Sequence, residues 1–345
     1  MPTPVPAPRF RRSTRLRMSL LIAAGALVGL AAIWAAFAIG YRAPGPAGVR
    51  AMLVVLWVVF ALGVLFSLLR HDVRWSLAAF TVAFVLVLAW WRSIEPSGGR
   101  VWADDVAHTL TARVDGDHVV LDGVRNFEWR SDDDYTVRWE TREFDLERLD
   151  AVDMILSSWG RPSIAHMILS FGFSDGQHLA FSVEIRRERG EKFSELAGFF
   201  KQFELSIIAA DERDIVRVRS NVRGENVTLY RLALDARRRR ALFLAYLDEA
   251  NRLAATPRFY DTITTNCTTL VYTLARPIVG HLPLDRRLLQ TGYLPAYLER
   301  LGGLQPDIPL ATLAERGDIT QRARAADASA DFSHDIRIGV PGVGD

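Results

Sequence analysis

The sequence predicts an α+β domain exported behind three transmembrane helices. Three long apolar runs fill most of the first hundred residues, strand-like segments broken by Asp- and Gly-bearing turns follow them, and an amphipathic helix precedes the only cysteine. Half of the 345 residues are hydrophobic, enough for a sizeable core and for two units rather than one.

The apolar runs span about 18–41, 49–69 and 75–92, each close to the roughly 20 residues a helix needs to cross bilayer hydrocarbon. A cleaved signal peptide has an apolar stretch of only about 7–15 residues, and here two further spans follow closely. Residues 1–95 therefore read as a membrane region. Arg9, Arg11, Arg12, Arg15 and Arg17 precede the first span, against Arg42 and Arg50 in the loop after it. Cytoplasmic flanks are enriched in basic residues, so the N-terminus is expected inside. The loop with Arg70, His71 and Arg74 then returns to the cytoplasm. Three crossings deliver everything after Ser93 to the periplasm, with the anchor in a bacterial inner membrane. The 40 arginines against two lysines suggest a genome rich in G and C.

Residues 1–100 hold 11 arginines and two acids, which leaves 31 basic and 38 acidic residues in the rest. Such a mildly acidic exported domain is a poor binder of nucleic acid. A single cysteine allows no intrachain disulfide, and a thiol kept in an oxidising compartment is either buried or used.

The domain itself is bounded at 96–310. SIEPSGGR (93–100) is a linker by its proline and paired glycines. HVVLDGV (118–124) and YTVRWETREF (135–144) read as strands. Asp132, Asp133 and Asp134 lack the spaced oxygen ligands and the glycine of a calcium loop and read as a turn. No metal or other cofactor is expected. SIAHMILSFGFSDGQHLAFSVEIRR (163–187) gives two strands around Ser174, Asp175 and Gly176. Residues 190–210 show apolar residues near helical spacing, and DIVRVRSN (214–221) alternates as another strand. RRRRALFLAYLDEANRLAA (237–255) is an amphipathic helix, with Leu242, Tyr246 and Ala250 on one stripe and Phe243 and Leu247 beside it. Residues 311–345 are polar and rich in Ala, Asp and Gly, which predicts a C-terminal tail.

The cysteine lies in YDTITTNCTTLVYTLARPIVG (260–280). Thr264, Thr265 or Asn266 can each cap a helix that begins beside Cys267, since their side chains accept hydrogen bonds from unpaired first-turn amides. Pro277 should end that helix. Its positive end then faces the thiol, where a cysteine pKa falls from about 8.5 toward 7 or below. Cys267 also shares a stripe with Leu270, Val271 and Leu274, so spacing alone leaves nucleophile and core residue both open.

A thiolate nucleophile needs a base, usually histidine, and a third group that orients it. His71 falls on the cytoplasmic loop, His108 and His118 in the β-rich opening, His281 after a turn and His334 in the tail. His166 differs, because it stands inside an apolar strand between Ala165 and Met167. There it is either a core histidine with its hydrogen bonds satisfied or a base. With the turn at Asp175 and Gly176, position 166 lies opposite 184 or 185, which makes Glu184 its cross-strand neighbour. His178 and Ser182 are the rival partners, and a slip of one residue would exchange the faces.

The segments VRNFEWRSDDDYTVRWETREFDL (124–146), WGRPSIAHMILSFGF (159–173), FSVEIRRERGEKFS (181–194), DERDIVRVRSN (211–221) and FYDTITTNCTT (259–269) resemble the periplasmic domain family named after Lnb, the bacterial lipoprotein N-acyl transferase. The likeness runs from about Trp102 to Leu301. The family is similar in turn to permuted papain-like enzymes of the lecithin:retinol acyltransferase and NlpC types, in which a strand-borne His precedes a helix-borne Cys. The resemblance implies that fold, and a Cys–His acyltransferase with Cys267 as nucleophile and His166 as base. Glu184 falls in the matching SVEIRR segment, but its role as orienting group comes from the hairpin register. In the transferase that names the family the domain comes first and the spans follow. Here three spans precede it, so the chemistry transfers more directly than the substrate.

The expected reaction acts on acyl esters of lipoproteins or phospholipids beside the bilayer, through a thioester. Arg186 and Arg187 could hold an anionic headgroup or form ion pairs with Glu188 and Glu191. Asn266 could support an oxyanion or cap the helix, and Tyr260 could pack over the thiol. Two competing classes are a cysteine peptidase or amidase acting on cell-wall peptides and a non-catalytic membrane receptor or assembly factor.

Overall fold

The computed structural model describes residues 10–70 and 73–343; Arg9 and His71 lie outside the described residues. Two compact units emerge, one of residues 1–95 with 200–202, the other of residues 96–199 with 203–345.

The first unit is built on three helices, Phe10–Arg42, Ala47–Leu68 and Val73–Ser93, each long and apolar enough to cross a membrane. Small residues let them approach closely, and Ala32, Ala35 and Ala61 are buried among Val28, Val64 and Phe80. The indole N–H of Trp57 donates to the Ala32 carbonyl at 2.9 Å, and the Ser67 and Ser76 hydroxyls bond at 2.7 Å. Both bonds satisfy polar groups that lipid could not.

The second unit is an α+β domain around one sheet. Its strands are β1 (Thr111–Asp115), β2 (His118–Arg125), β3 (Glu128–Trp129), β4 (Tyr135–Thr136), β5 (Trp139–Asp145), β6 (Leu149–Ser158), β7 (Ala165–Phe173), β8 (His178–Arg186), β9 (Glu204–Ala210) and β10 (Asn226–Arg231). The sheet order is β1-β2-β9-β8-β7-β6-β10, with β5 also paired to β2. The sequential strands β6 to β9 pair antiparallel. β3 and β4 make a separate small ribbon, whose turn holds Asp132 to Asp134 and is closed by an Arg130–Asp134 ion pair.

Both faces of the sheet are covered. Odd-numbered residues of β7 and β8 (Met167, Leu169, Phe171, Phe181 and Val183) pack under the helices Ala236–Ala255 and Thr269–Val279. The stripe Leu242, Tyr246 and Ala250 is buried there with Phe243 and Leu247. Phe181 stacks on Tyr246 at 4.9 Å and Phe171 meets Phe243 edge-on at 5.1 Å, contacts that contribute about 0.5–1.5 kcal/mol each beyond burial. Even-numbered residues, Ile168 and Ala180 among them, enter a second core with Ile215, Val216, Ile319, Phe332 and Ile336.

Four local expectations fail for identifiable reasons. Residues 190–210 are mostly not helix; only Glu195–Gly198 is helical, and ELSIIAA forms β9 with both faces buried, so its continuous apolar run carries no strand period. DIVRVRSN is not a strand: Asp211 caps a short helix Glu212–Ile215 and a π-turn spans Val218–Val222. The predicted tail is folded. Its scattered apolar residues Ile319, Ala323, Phe332, Ile336 and Val340 fill the second core. Arg337 is buried there and binds Glu212 at 2.6 and 2.7 Å and Asp153 at 2.9 Å, and its guanidinium holds the Glu212 carboxyl down at about 2 against the opposing effect of burial. Finally, Pro277 lies inside the cysteine helix, which continues to Val279 and ends at Gly280 with φ +91°. A proline so near the end removes one hydrogen bond, and the glycine supplies the left-handed exit.

Candidate active site

The β7–β8 hairpin sets the geometry. Gly176, at φ +87°, donates its N–H to the Phe173 carbonyl at 2.9 Å, and the Phe173 N–H donates to Gln177 at 2.9 Å. Pairs run from Gly172–His178 to Ile168–Ser182. The same register, carried two residues further, sets His166 across from Glu184. There the ladder has ended, while β8 stays paired to β9 as far as Arg186, so the two strands part just where the polar residues stand.

His166, Ser182 and Glu184 are even-numbered and so share the face opposite the two long helices. His166 Nε2 lies 2.6 Å from Ser182 Oγ and 3.1 Å from Glu184 Oε1, and Ser182 donates to Glu184 at 2.7 Å. Both contacts use Nε2, and Cys267 stands close enough to the imidazole to raise its pKa. The backbone N–H of Met167 also favours the thiolate. Cys267 is partly exposed.

The electrostatics favour an ion pair. Burial and the Arg219 guanidinium pull the His166 pKa down, but Glu184 and the Cys267 contact outweigh them and raise it to about 9. Burial pushes the thiol up, and its hydrogen bond and attraction to His166 bring it below the usual cysteine range. Glu184 is held well down: burial opposes its charge, but His166, Arg219 and Ser182 favour it more strongly. These influences favour the charged form of each of the three groups.

Residues 135–296, which carry all three of these side chains, match the family of the Lnb N-terminal periplasmic domain. The matched segment is an Lnb-type periplasmic domain. No curated protein and no solved structure matches the chain.

The other predicted residues of the Lnb-type domain are placed as follows. Asn266 is a cap: its Oδ1 accepts from the N–H groups of Thr268 and Thr269 at 2.9 and 2.8 Å, and its Nδ2 donates to Thr262 O at 2.8 Å. Those first-turn amides are thus occupied, and the Cys267 N–H is the amide beside the thiol that donates to no group among the described residues. Truncation of Asn266 to alanine should cost about 1 kcal/mol as a lost cap, read as a lower melting midpoint in detergent.

Arg186 and Arg187 are turned away from the thiol. Arg186 is buried, donates to the Val106 and Ala107 carbonyls at 3.0 and 2.7 Å and lies over Trp102. Arg187 pairs with Asp105 at 3.0 Å. Both fasten the 104–107 turn to the end of β8. Tyr260 is a neighbour of the thiol, since burial and the nearby Cys267 and Glu184 charges raise its phenol. Of the rivals to Glu184, His178 bonds the turn carbonyl of Gly176 at 3.1 Å, whereas Ser182 stands within the network between His166 and Glu184.

Sequence reading missed Arg219. From the π-turn it reaches Glu184 Oε1 at 3.3 Å and Glu225 Oε2 at 3.3 Å, and Glu225 in turn accepts from Ser157. π-turns often mark functional positions, but nothing in an alternating DIVRVRSN announces one. Among the described residues no group of three His, Cys, Asp or Glu side chains is placed to hold a metal ion.

Proposed function

We propose that this membrane-anchored periplasmic protein is a thiol acyltransferase acting on acyl esters of phospholipids or lipoproteins. One observation carries the reading: the buried His166 bonds Glu184 at 3.1 Å and stands close enough to Cys267 for each to shift the other's pKa. A strand-borne histidine followed along the chain by a cysteine in the turn that leads into a helix resembles the order in permuted papain-like enzymes and supports it. The Cys267 thiolate attacks the ester carbonyl, and the Cys267 N–H donates to the oxyanion. Collapse breaks the carbon–oxygen bond, the leaving alkoxide takes the proton from His166, and a thioester remains. An amine then attacks the thioester, gives its proton to His166 and releases the amide, which regenerates the thiol. Glu184 and Ser182 fix the imidazole throughout. The arginine-rich N-terminus supports a cytoplasmic start and an anchor in the inner membrane.

The test is the intact mass of the purified full chain after incubation with a diacyl phospholipid or a diacylglyceryl peptide. A gain of one acyl chain, released by neutral hydroxylamine and absent from Cys267→Ala, is the expected result. An unmodified protein whose thiol still alkylates would sink the acyl-ester reading in favour of a peptidase. An inert thiol would remove the enzyme reading altogether.

A further inference from the structure

Large apolar side chains that face water stand on the segments tied to the turn that carries Cys267. Ile263 lies on the turn leading to Cys267, where Asp261 Oδ1 accepts from the N–H groups of Ile263 and Thr264 at 3.0 and 2.8 Å. That turn is tied to the segment bearing Phe193, Leu196 and Phe199: Thr262 donates to Glu195 O at 2.8 Å, and a Cβ on Gly198 would stand 2.3 Å from Thr262 Oγ1. On another side, Thr291 bonds Thr268 at 2.7 Å and the Gly292 N–H donates to Ser163 at 3.3 Å. This joins Tyr293, and the loop that carries Trp159, to the same turn. All six side chains are 39–57% exposed.

Exposed apolar groups gathered around one turn mark a docking surface rather than ordinary scatter. The geometry points to a phospholipid leaflet as the partner, with this rim set into the interface so that an acyl chain reaches Cys267 without crossing water. A further observation selects lipid. Lys192 and Arg161 are exposed on the same segments, the combination of cations with Trp, Phe and Leu that suits an anionic interface. The inference goes beyond the transferase reading and is tested without the thiol, so its failure leaves that reading standing.

The experiment uses full-length Cys267→Ala protein in nanodiscs of phosphatidylcholine and phosphatidylglycerol with brominated acyl chains. Single cysteines are introduced as Phe199→Cys, Ile263→Cys and Tyr293→Cys, with Val114→Cys on the edge strand β1 as control, and each is labelled with a polarity-sensitive dye. The three rim labels should shift to the blue and be quenched several-fold more than in discs without bromine, and the Val114 label should do neither. Rim labels as wet and as unquenched as the control would overturn the proposal. Rim labels shielded from aqueous iodide yet untouched by bromine would overturn it equally, because a second copy of the protein would then cover the patch.

Discussion

Replacing His166 with asparagine is expected to slow acylation of Cys267 by about 10²- to 10⁴-fold, the usual contribution of a positioned acid–base group. Asparagine roughly keeps the size of the side chain but cannot carry a proton between thiol and leaving alkoxide. Its effect on the thiol is independent of any substrate. Without the imidazolium, burial is left as the main influence on Cys267, and burial raises the thiol pKa. Alkylation by iodoacetamide at neutral pH should therefore fall along with acylation. A variant that still alkylates at the wild-type rate would show that His166 does not support the thiolate. That result would return it to the role of a core histidine with its hydrogen bonds satisfied.

How much of this site was legible depends on which contacts follow from local period. The His166–Glu184 pairing was readable because a hairpin converts turn position into register, and the Asp-Gly turn fixed the register to within one residue. The helix beside Cys267 was readable from Thr and Asn caps, although three candidates stood for a role that Asn266 fills. The helix Ala236–Ala255 followed from its stripe. The failures share a cause. β9 is buried on both faces, so its apolar run has no period, and the C-terminal segment buries few, widely spaced apolar residues beneath a polar composition. Arg219 was invisible for a deeper reason, since it reaches Glu184 from a separate turn 35 positions along the chain. Arg186 and Arg187 show the converse error. Adjacent arginines suggest an anion site, but Trp102, two backbone carbonyls and Asp105 already engage them.

Substituting Glu184 with glutamine should move the reactivity of Cys267 to higher pH. In the native site the influences on His166 oppose one another: burial and Arg219 lower its pKa, and Glu184 and Cys267 raise it to about 9. Glutamine keeps a hydrogen-bonding side chain next to Nε2 but removes the charge, so the lowering influences gain and the imidazole loses its proton at a lower pH. The sign then propagates to the thiol. A neutral imidazole no longer favours the thiolate, and burial carries the Cys267 pKa upward. In wild type, alkylation should begin below the usual thiol range, and the ion pair should persist until His166 deprotonates near pH 9; the two steps belong to the pair rather than to either residue. In Glu184→Gln the onset should lie above that of wild type, and the rate at neutral pH should drop by about tenfold for each unit of displacement. Measuring the alkylation rate of the full chain between pH 5 and pH 10 in detergent separates the alternatives. Coincident profiles for the two proteins would mean that Glu184 does not govern the imidazole, and the orienting role would pass to Ser182. A displaced Glu184→Gln profile, with Ser182→Ala close to wild type, would place the controlling charge on the carboxylate.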